Sequence, residues 1–406
     1  MSGTMTTEAF RQAPVLDIDP YDEAVLESPF ETFAEMRRAG PVAFLPKYDM
    51  YVMARHRDVQ PALKDWQTFS STGGSGVADI RKPGAWRPPS AIVEVDPPRH
   101  SYVRSAMQKA MSPQLIRSWR EVFVKEAEKL VDTVLQQEYV DGVVDISETY
   151  ISTTFPPALG LPVTPETREN LFLLGSLNFD AQGPRNARYE ATQKQADKIM
   201  PWHDAMMRRE NLLPGGFGDR LYQAVDAGEL EPELAPLLVR SFLRGGLDTT
   251  SSAISGALWY LAQNPDQYAL LRQEPERVRP ALEEAMRLET PIQTVGRLTM
   301  RDVVVDGTLI PNDRKVMMFL GAANRDPDFW DRPDDYDLTR STLGHVALGN
   351  GIHMCIGQMI ARLEGECILS EIIKCVSEIR LEGPPVRRIN NVLRSLKSLP
   401  LRLKAA

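Results

Sequence analysis

Apolar residues along this chain recur mostly at helical spacing. Between Pro113 and Met207 the pattern predicts several helices, interrupted at PPALGLP (156–162) and QGPRN (182–186), where proline and glycine clusters oppose regular structure. The turn LLPGGFG (212–218) precedes another helical stretch. From Pro232 to Ala262 the pattern is almost unbroken, predicting one helix of about 45 Å at the standard rise, long enough to cross the whole protein. A further helix is predicted from Gln358 onward.

Strand signals are shorter. Pro41 to Leu45 and Met50 to Ala54 flank Lys47-Tyr48-Asp49 and read as a hairpin. VVVDGTLI (303–310), KVMMFL (315–320), RLEG (380–383) and LPLRL (399–403) are also strand-like. The β-rich parts are therefore expected mainly at 40–70, 296–320 and 379–405. Thr72 to Pro89 holds too many glycines and prolines for regular structure and is predicted to be a long functional loop. The expected fold class is mainly α with small β-sheets. No linker, repeat or composition change divides the chain, so residues 15–406 are expected to form a single domain after a flexible N-terminus, 1–14.

Hydrophobic residues make up 43% and charged residues 25%, which supplies a core and excludes a disordered chain. The net charge of −8 argues against nucleic acid, whose phosphates need a concentrated basic face. Met1 to Pro14 lacks the basic start and apolar run of a signal peptide, and no membrane-length apolar segment occurs, so a cytoplasmic, non-membrane protein is expected. Three cysteines, Cys355, Cys367 and Cys375, favour reduced thiols over disulfides. Cys367 and Cys375 fit small buried hydrophobes on a helix.

Cys355 is set differently, in HVALGNGIHMCIGQMIARLE (345–364), with Gly349, Gly351 and Gly357 around a thiol at a helix N-terminus. Glycines allow close backbone approach and positive φ, and nearby amides can donate to a thiolate and tune a bound metal. A buried structural cysteine is the plain alternative. Zinc is another, but no second Cys or His stands at ligand spacing. The arrangement resembles the cytochrome P450 signature F-x-x-G-x-[HR]-x-C-x-G, matched by Gly351, His353, Cys355 and Gly357, with Leu348 in place of Phe.

That resemblance implies a triangular, mainly α fold with haem b between the long central helix and the cysteine loop. Cys355 would be the axial iron ligand, with Gly349, His353 and Gly357 beside it. A thiolate pushes electron density onto iron and favours O–O cleavage, which implies oxygen activation. Glu284 and Arg287 match the family's E-x-x-R pair behind the haem, a network completed from Asn324-Arg325-Asp326-Pro327 or Arg340; which Arg closes it is open. His100, Arg104, Arg297 and His345 are assigned by the resemblance to the haem carboxylates, where cationic donors would complement charge. Gly245-Gly246-Leu247-Asp248-Thr249-Thr250 matches the widened turn above the iron, which implies that Asp248 and Thr249 serve proton delivery to dioxygen.

Polar residues suggest the substrate. Arg87 and Ser90 lie in AWRPPS, and Arg240, Ser241 and Arg244 precede Gly245; at 100° per residue Ser241, Arg244, Gly245 and Asp248 fall within an arc of about 100° and could share a face. Such groups would hold a carboxylate by charge-assisted hydrogen bonds, unless Arg244 instead pairs with Asp248 at i, i+4. The loop and the Arg-Ser pair resemble the bacterial subgroup that oxidises or O-demethylates para-substituted benzoates such as 4-methoxybenzoate. That likeness makes Phe179 an aromatic wall and places Ile292 and Val295 beside the ring, while Gln182 and Val295 stand where those relatives have aromatics and Arg244 where they have serine. A larger, more polar pocket follows.

The expected activity is therefore monooxygenation of a small aromatic acid with O2. Electrons would come from a [2Fe-2S] or similar ferredoxin and its flavin reductase, since the chain holds no fused flavin or iron–sulfur domain. Oxidation of a larger acid or of a neutral terpenoid or aromatic substrate, and a non-catalytic haem sensor, are the competing readings.

Overall fold

The computed structural model describes residues 10–86 and 88–406. Helices dominate, and among the described residues the largest sheet has five short strands. Its order is Ala43–Leu45, Met50–Met53, Lys315–Phe319, Thr294–Thr299, Phe69–Ser70, antiparallel except where Met50–Met53 runs parallel to Lys315–Phe319. The hairpin expected near Lys47 is present, closed by a 3-10 turn with Asp49 left-handed at φ 47°. Three smaller sheets lie at 303–310, at 386–398, and where Val140–Asp141 and Val376–Leu381 flank Pro400–Ala405. Val140–Asp141 lies outside the expected β-rich regions because two residues carry no alternation to read.

Residues 1–9 of the expected flexible N-terminus lie outside the described residues; 10–14 are tied down. Arg11 donates its N–H to Gly307 O at 2.9 Å and the Pro14 carbonyl accepts from Phe44 N at 2.8 Å. The interruption expected at PPALGLP also shifts: the helix Thr149–Leu159 runs through Pro156 and Pro157 and stops at Gly160, left-handed at φ 105°.

The predicted 232–262 helix is two helices, Leu234–Gly245 and Asp248–Gln263. In the second, 13 of 16 residues are buried, so its polar faces must find partners inside the protein. It packs against Val278–Glu289, against the π-helical turn Gly142–Glu148 and against Gln358–Cys375. The break falls at Gly246-Leu247, where apolar periodicity continues but the hydrogen-bond ladder does not. The Thr249 hydroxyl donates to Gly245 O at 3.3 Å and the Thr250 hydroxyl lies 3.5 Å from Gly246 O. A Cβ at Gly246 would sit 2.0 Å from the ring of Phe155, so close packing requires this glycine.

Candidate active site

The loop before Gln358–Cys375 delivers Cys355 to a large internal cavity of about 660 Å³. Gly349 and Gly351 adopt φ of 72° and 71°, and a Cβ on Gly351 would lie 2.6 Å from Leu63 O. Cys355 N donates to Leu348 O at 2.8 Å, which folds the thiol back over the loop. Burial pushes the thiol pKa up, while the N–H groups of Gly357 and Gln358 and the positive charges of Arg104 and Arg362 oppose that rise. Burial outweighs these groups, so the protein alone favours the neutral thiol, and a bound metal cation would supply the charge that makes it a thiolate.

Next to the thiol lies a cluster of donors. The rings of His100 and His353 meet edge to face at 4.4 Å, and buried Arg297 and partly buried Arg104 stand nearby. Burial, with the neighbouring cations, lowers the His100 pKa to about 4, and burial lowers that of Arg297 to about 10. Nε2 of both histidines is buried without a hydrogen-bond partner; Asp96 Oδ1 is 3.9 Å from His353 Nε2, beyond bonding reach. Orphaned donors beside cations fit carboxylates entering from the cavity. With a thiol, glycines at close approach and this donor set in one region, the residues fit a haem.

His345 does not join that cluster. Its Nε2 bonds Glu283 Oε2 at 2.8 Å, where Arg362 also binds, and it does not line the cavity. The neighbourhood in sequence misled, because Val346 to Gly349 turn the chain between His345 and the cavity.

Asp248 and Thr249 diverge as well. Thr249 lines the cavity, but Asp248 points to the opposite side of the helix, beside Glu148, Ser251 and Arg388. The face shared with Ser241, Arg244 and Gly245 therefore does not include Asp248, because the break at Gly246 changes the helical phase. No Arg244–Asp248 pair forms: Arg388 Nη1 is 3.9 Å from Asp248 Oδ1, and Arg388 bonds Glu148 at 2.7 Å. Burial raises the Asp248 pKa to about 7, with Arg388 pulling it down and Glu148 pushing it up. A Cβ at Gly175 would fall 1.7 Å from Asp248 Oδ2, so that glycine makes room for the carboxyl.

The cavity continues from Cys355 and Thr249 to Ser90, Phe179, Gln182, Arg240, Ser241, Arg244, Gly245, Ile292 and Val295. Arg87 lies outside the described residues. Arg240 donates to Pro89 O at 2.9 Å, bringing the helix against the loop that carries Ser90. The Ser241 hydroxyl donates to Leu237 O, and Ser90 Oγ accepts from Ile92 and Val93 N. Phe179 packs on Ile292, Val392 and Leu393.

A family model described as Cytochrome P450 matches residues 188–395, and the chain is 44% identical over 394 residues to cytochrome p450 CYP199A2 of Rhodopseudomonas palustris, covering 97% of this chain and 95% of that protein. The chain belongs to the cytochrome P450 family. It is a P450 monooxygenase whose cofactor is haem. It is also similar to the beta-dihydromenaquinone-9 omega-hydroxylase of Mycobacterium tuberculosis, 28% identical across 94% of this chain and 78% of the relative. The structure of cytochrome P450 CYP109Q5 from Chondromyces apiculatus matches with a TM-score of 0.78 and 29% identity, covering 96% and 99% of the two chains. Among the described residues of this P450, no helix is long and apolar enough to cross a membrane.

Behind the cysteine loop of the P450, Glu284 makes a two-point bond to Arg287, 2.8 Å at each oxygen, and Arg340 adds a third at 2.9 Å. Arg340 thus closes the network; Arg325 turns instead to Asp334 and Leu288 O. Two acids were missed from sequence. Glu94 lines the cavity, accepting from Ser75 and from Ser90 N at 2.7 Å, and Asp96 accepts from Ser70 and Ser71. Both lie in VEVDPPRH, four to six residues before His100, but a carboxylate in a loop gives no sequence sign of being buried.

Proposed function

We propose that this P450 inserts one oxygen atom from O2 into a small aromatic carboxylic acid, by hydroxylation or O-demethylation, drawing electrons from a ferredoxin and its flavin reductase. The observation that carries the reading is the mixed lining of one cavity, where Arg240, Arg244 and Ser90 share the space with Phe179, Ile292, Val295 and the thiol. Arg244 and Thr249 line the same cavity from the two helices on either side of the break at Gly246, so an aromatic ring bearing a carboxylate and one opposed substituent finds a polar group from each helix. The same cavity also has to hold the macrocycle, which favours a small ligand.

In this reading the Cys355 thiolate would hold the haem iron, and the haem, when bound, would supply oxygen activation favoured by thiolate electron donation. His100, Arg104, Arg297 and His353 receive the haem carboxylates, with Gly349 and Gly357 giving the backbone its close approach. Arg240 and Arg244, with Arg87 from the loop, hold the substrate carboxylate, Ser90 and Ser241 shape that end, and Phe179, Gln182, Gly245, Ile292 and Val295 fix the ring. Thr249 presents its hydroxyl at the cavity while Asp248 takes protons from the solvent side through the Arg388–Glu148 pair. An acid with a pKa near 7 can both give and accept a proton at neutral pH.

Optical titration of the ferric holoenzyme with 4-methoxybenzoate tests the substrate class. The expected result is a shift of the Soret band toward high spin, followed by a demethylated product with a reconstituted ferredoxin pair. A thiolate signal in the reduced carbon monoxide spectrum, without any shift from a series of aromatic acids, overturns the substrate assignment.

A further inference from the structure

Within the carboxylate-binding reading above, on which this step rests, the two cavity arginines are not equivalent. Arg240 is bonded to the Pro89 carbonyl and its charge is drawn by Glu94. Arg244 donates its Nε–H to His203 Nε2 at 3.3 Å. His203 sits on the short helix Met200–Met206, almost fully buried, with Nδ1 2.9 Å from Asp204 Oδ1. Asp204 can only accept, so Nδ1 carries the proton and Nε2 presents its lone pair to Arg244. Burial and the Arg244 and Arg240 charges favour the neutral ring, with Asp204 opposing them. The bond also ties two elements across the cavity, since Met200 on the same helix lines it.

We propose that His203 is a specificity-determining positioning residue, whose Nε2 lone pair fixes the Arg244 fork toward the cavity so that this P450 reads an aromatic carboxylate through Arg244. An arginine side chain has several rotatable bonds and gains affinity from being held in place before the ligand arrives. Held at Nε, the guanidinium keeps one orientation where Arg244 lines the cavity, and a carboxylate that meets it there gains charge-assisted hydrogen bonds. His203 touches neither haem nor substrate and acts only through Arg244.

The test compares ferric holoenzymes by optical titration with 4-methoxybenzoate and with its uncharged methyl ester. In H203F, which keeps bulk but loses the lone pair, affinity for the acid is expected to fall roughly tenfold or more, the effect of a lost charge-assisted contact. Affinity for the ester is expected to stay within about twofold, and H203Q, which restores an acceptor, to recover most of the loss. Should H203F fail to take up haem, H203N, whose shorter side chain withdraws the acceptor, is compared with H203Q in the same way. If the wild-type enzyme prefers acid to ester and the variants lacking the acceptor keep that ratio, or H203Q is as impaired as they are, the His203 assignment falls alone. If the wild-type enzyme does not distinguish acid from ester, the carboxylate reading falls and takes this role with it.

Discussion

Two buried carboxylates, neither of them lining the cavity, show how one chemical group serves two purposes. Glu284 is inaccessible to solvent and satisfied by two guanidinium groups, with Arg287 further anchored on the carbonyls of Asn324 and Pro333 at 2.7 Å. Asp248 is buried as deeply, yet its nearest cation is 3.9 Å away and its Oδ1 has no hydrogen-bond partner. Full pairing makes the first a rigid strut behind the cysteine loop. Partial pairing leaves the second able to change protonation near neutral pH.

That contrast breaks most visibly at the strut. Arg287→Ala leaves Glu284 buried beside Arg340 alone, and loss of one partner from such a pair costs about 3–5 kcal/mol. Denaturant unfolding should show that loss together with poor haem retention; a well-folded variant with wild-type stability would refute the strut. Asp248→Asn should do the reverse. The fold and the carbon monoxide spectrum stay intact, stability at pH 8 does not fall, and substrate-dependent turnover drops about 10²-fold, as expected for a lost proton-transfer group. The sign follows from the raised pKa: the unfolded carboxyl ionises near its ordinary value, the folded one near 7, so burying this group costs stability increasingly as pH rises between them.

A third buried acid sharpens the comparison. Glu364, on the helix after Cys355, has its pKa pushed up to about 8 by burial, with only the Thr154 hydroxyl opposing, and one oxygen has no partner. Its destabilisation likewise grows with pH above the ordinary glutamate value and levels off beyond 8. Glu364→Gln is expected to gain on the order of 1 kcal/mol at pH 8 and nothing at pH 4, with turnover unchanged. Thermal melts at the two pH values read the difference directly.

The parts of the molecule legible from sequence are those whose chemistry is local. The Gly349, Gly351, Cys355 and Gly357 loop, the i, i+3 pair of Glu284 and Arg287, and the helix turn holding His100 and Arg104 each lie within a few residues, where backbone geometry dictates which atoms meet. The hairpin at 43–53 was legible for the same reason. The phase of the central helix was not, because the break at Gly246-Leu247 lies inside unbroken apolar periodicity, and the ring of Phe155 that packs against Gly246 comes from about 90 residues earlier.

Long-range partners were equally hidden. Arg340 rather than Arg325 reaches Glu284, His345 turns to Glu283, Glu94 enters the cavity from a loop, and His203 finds Arg244 from another helix. Sequence determined the class of protein and the thiol at its centre, since spacing within one loop fixes that geometry. Tertiary structure alone decided which charges are paired and which remain titratable, because pairing and burial depend on residues tens to hundreds of positions apart brought within about 3 Å.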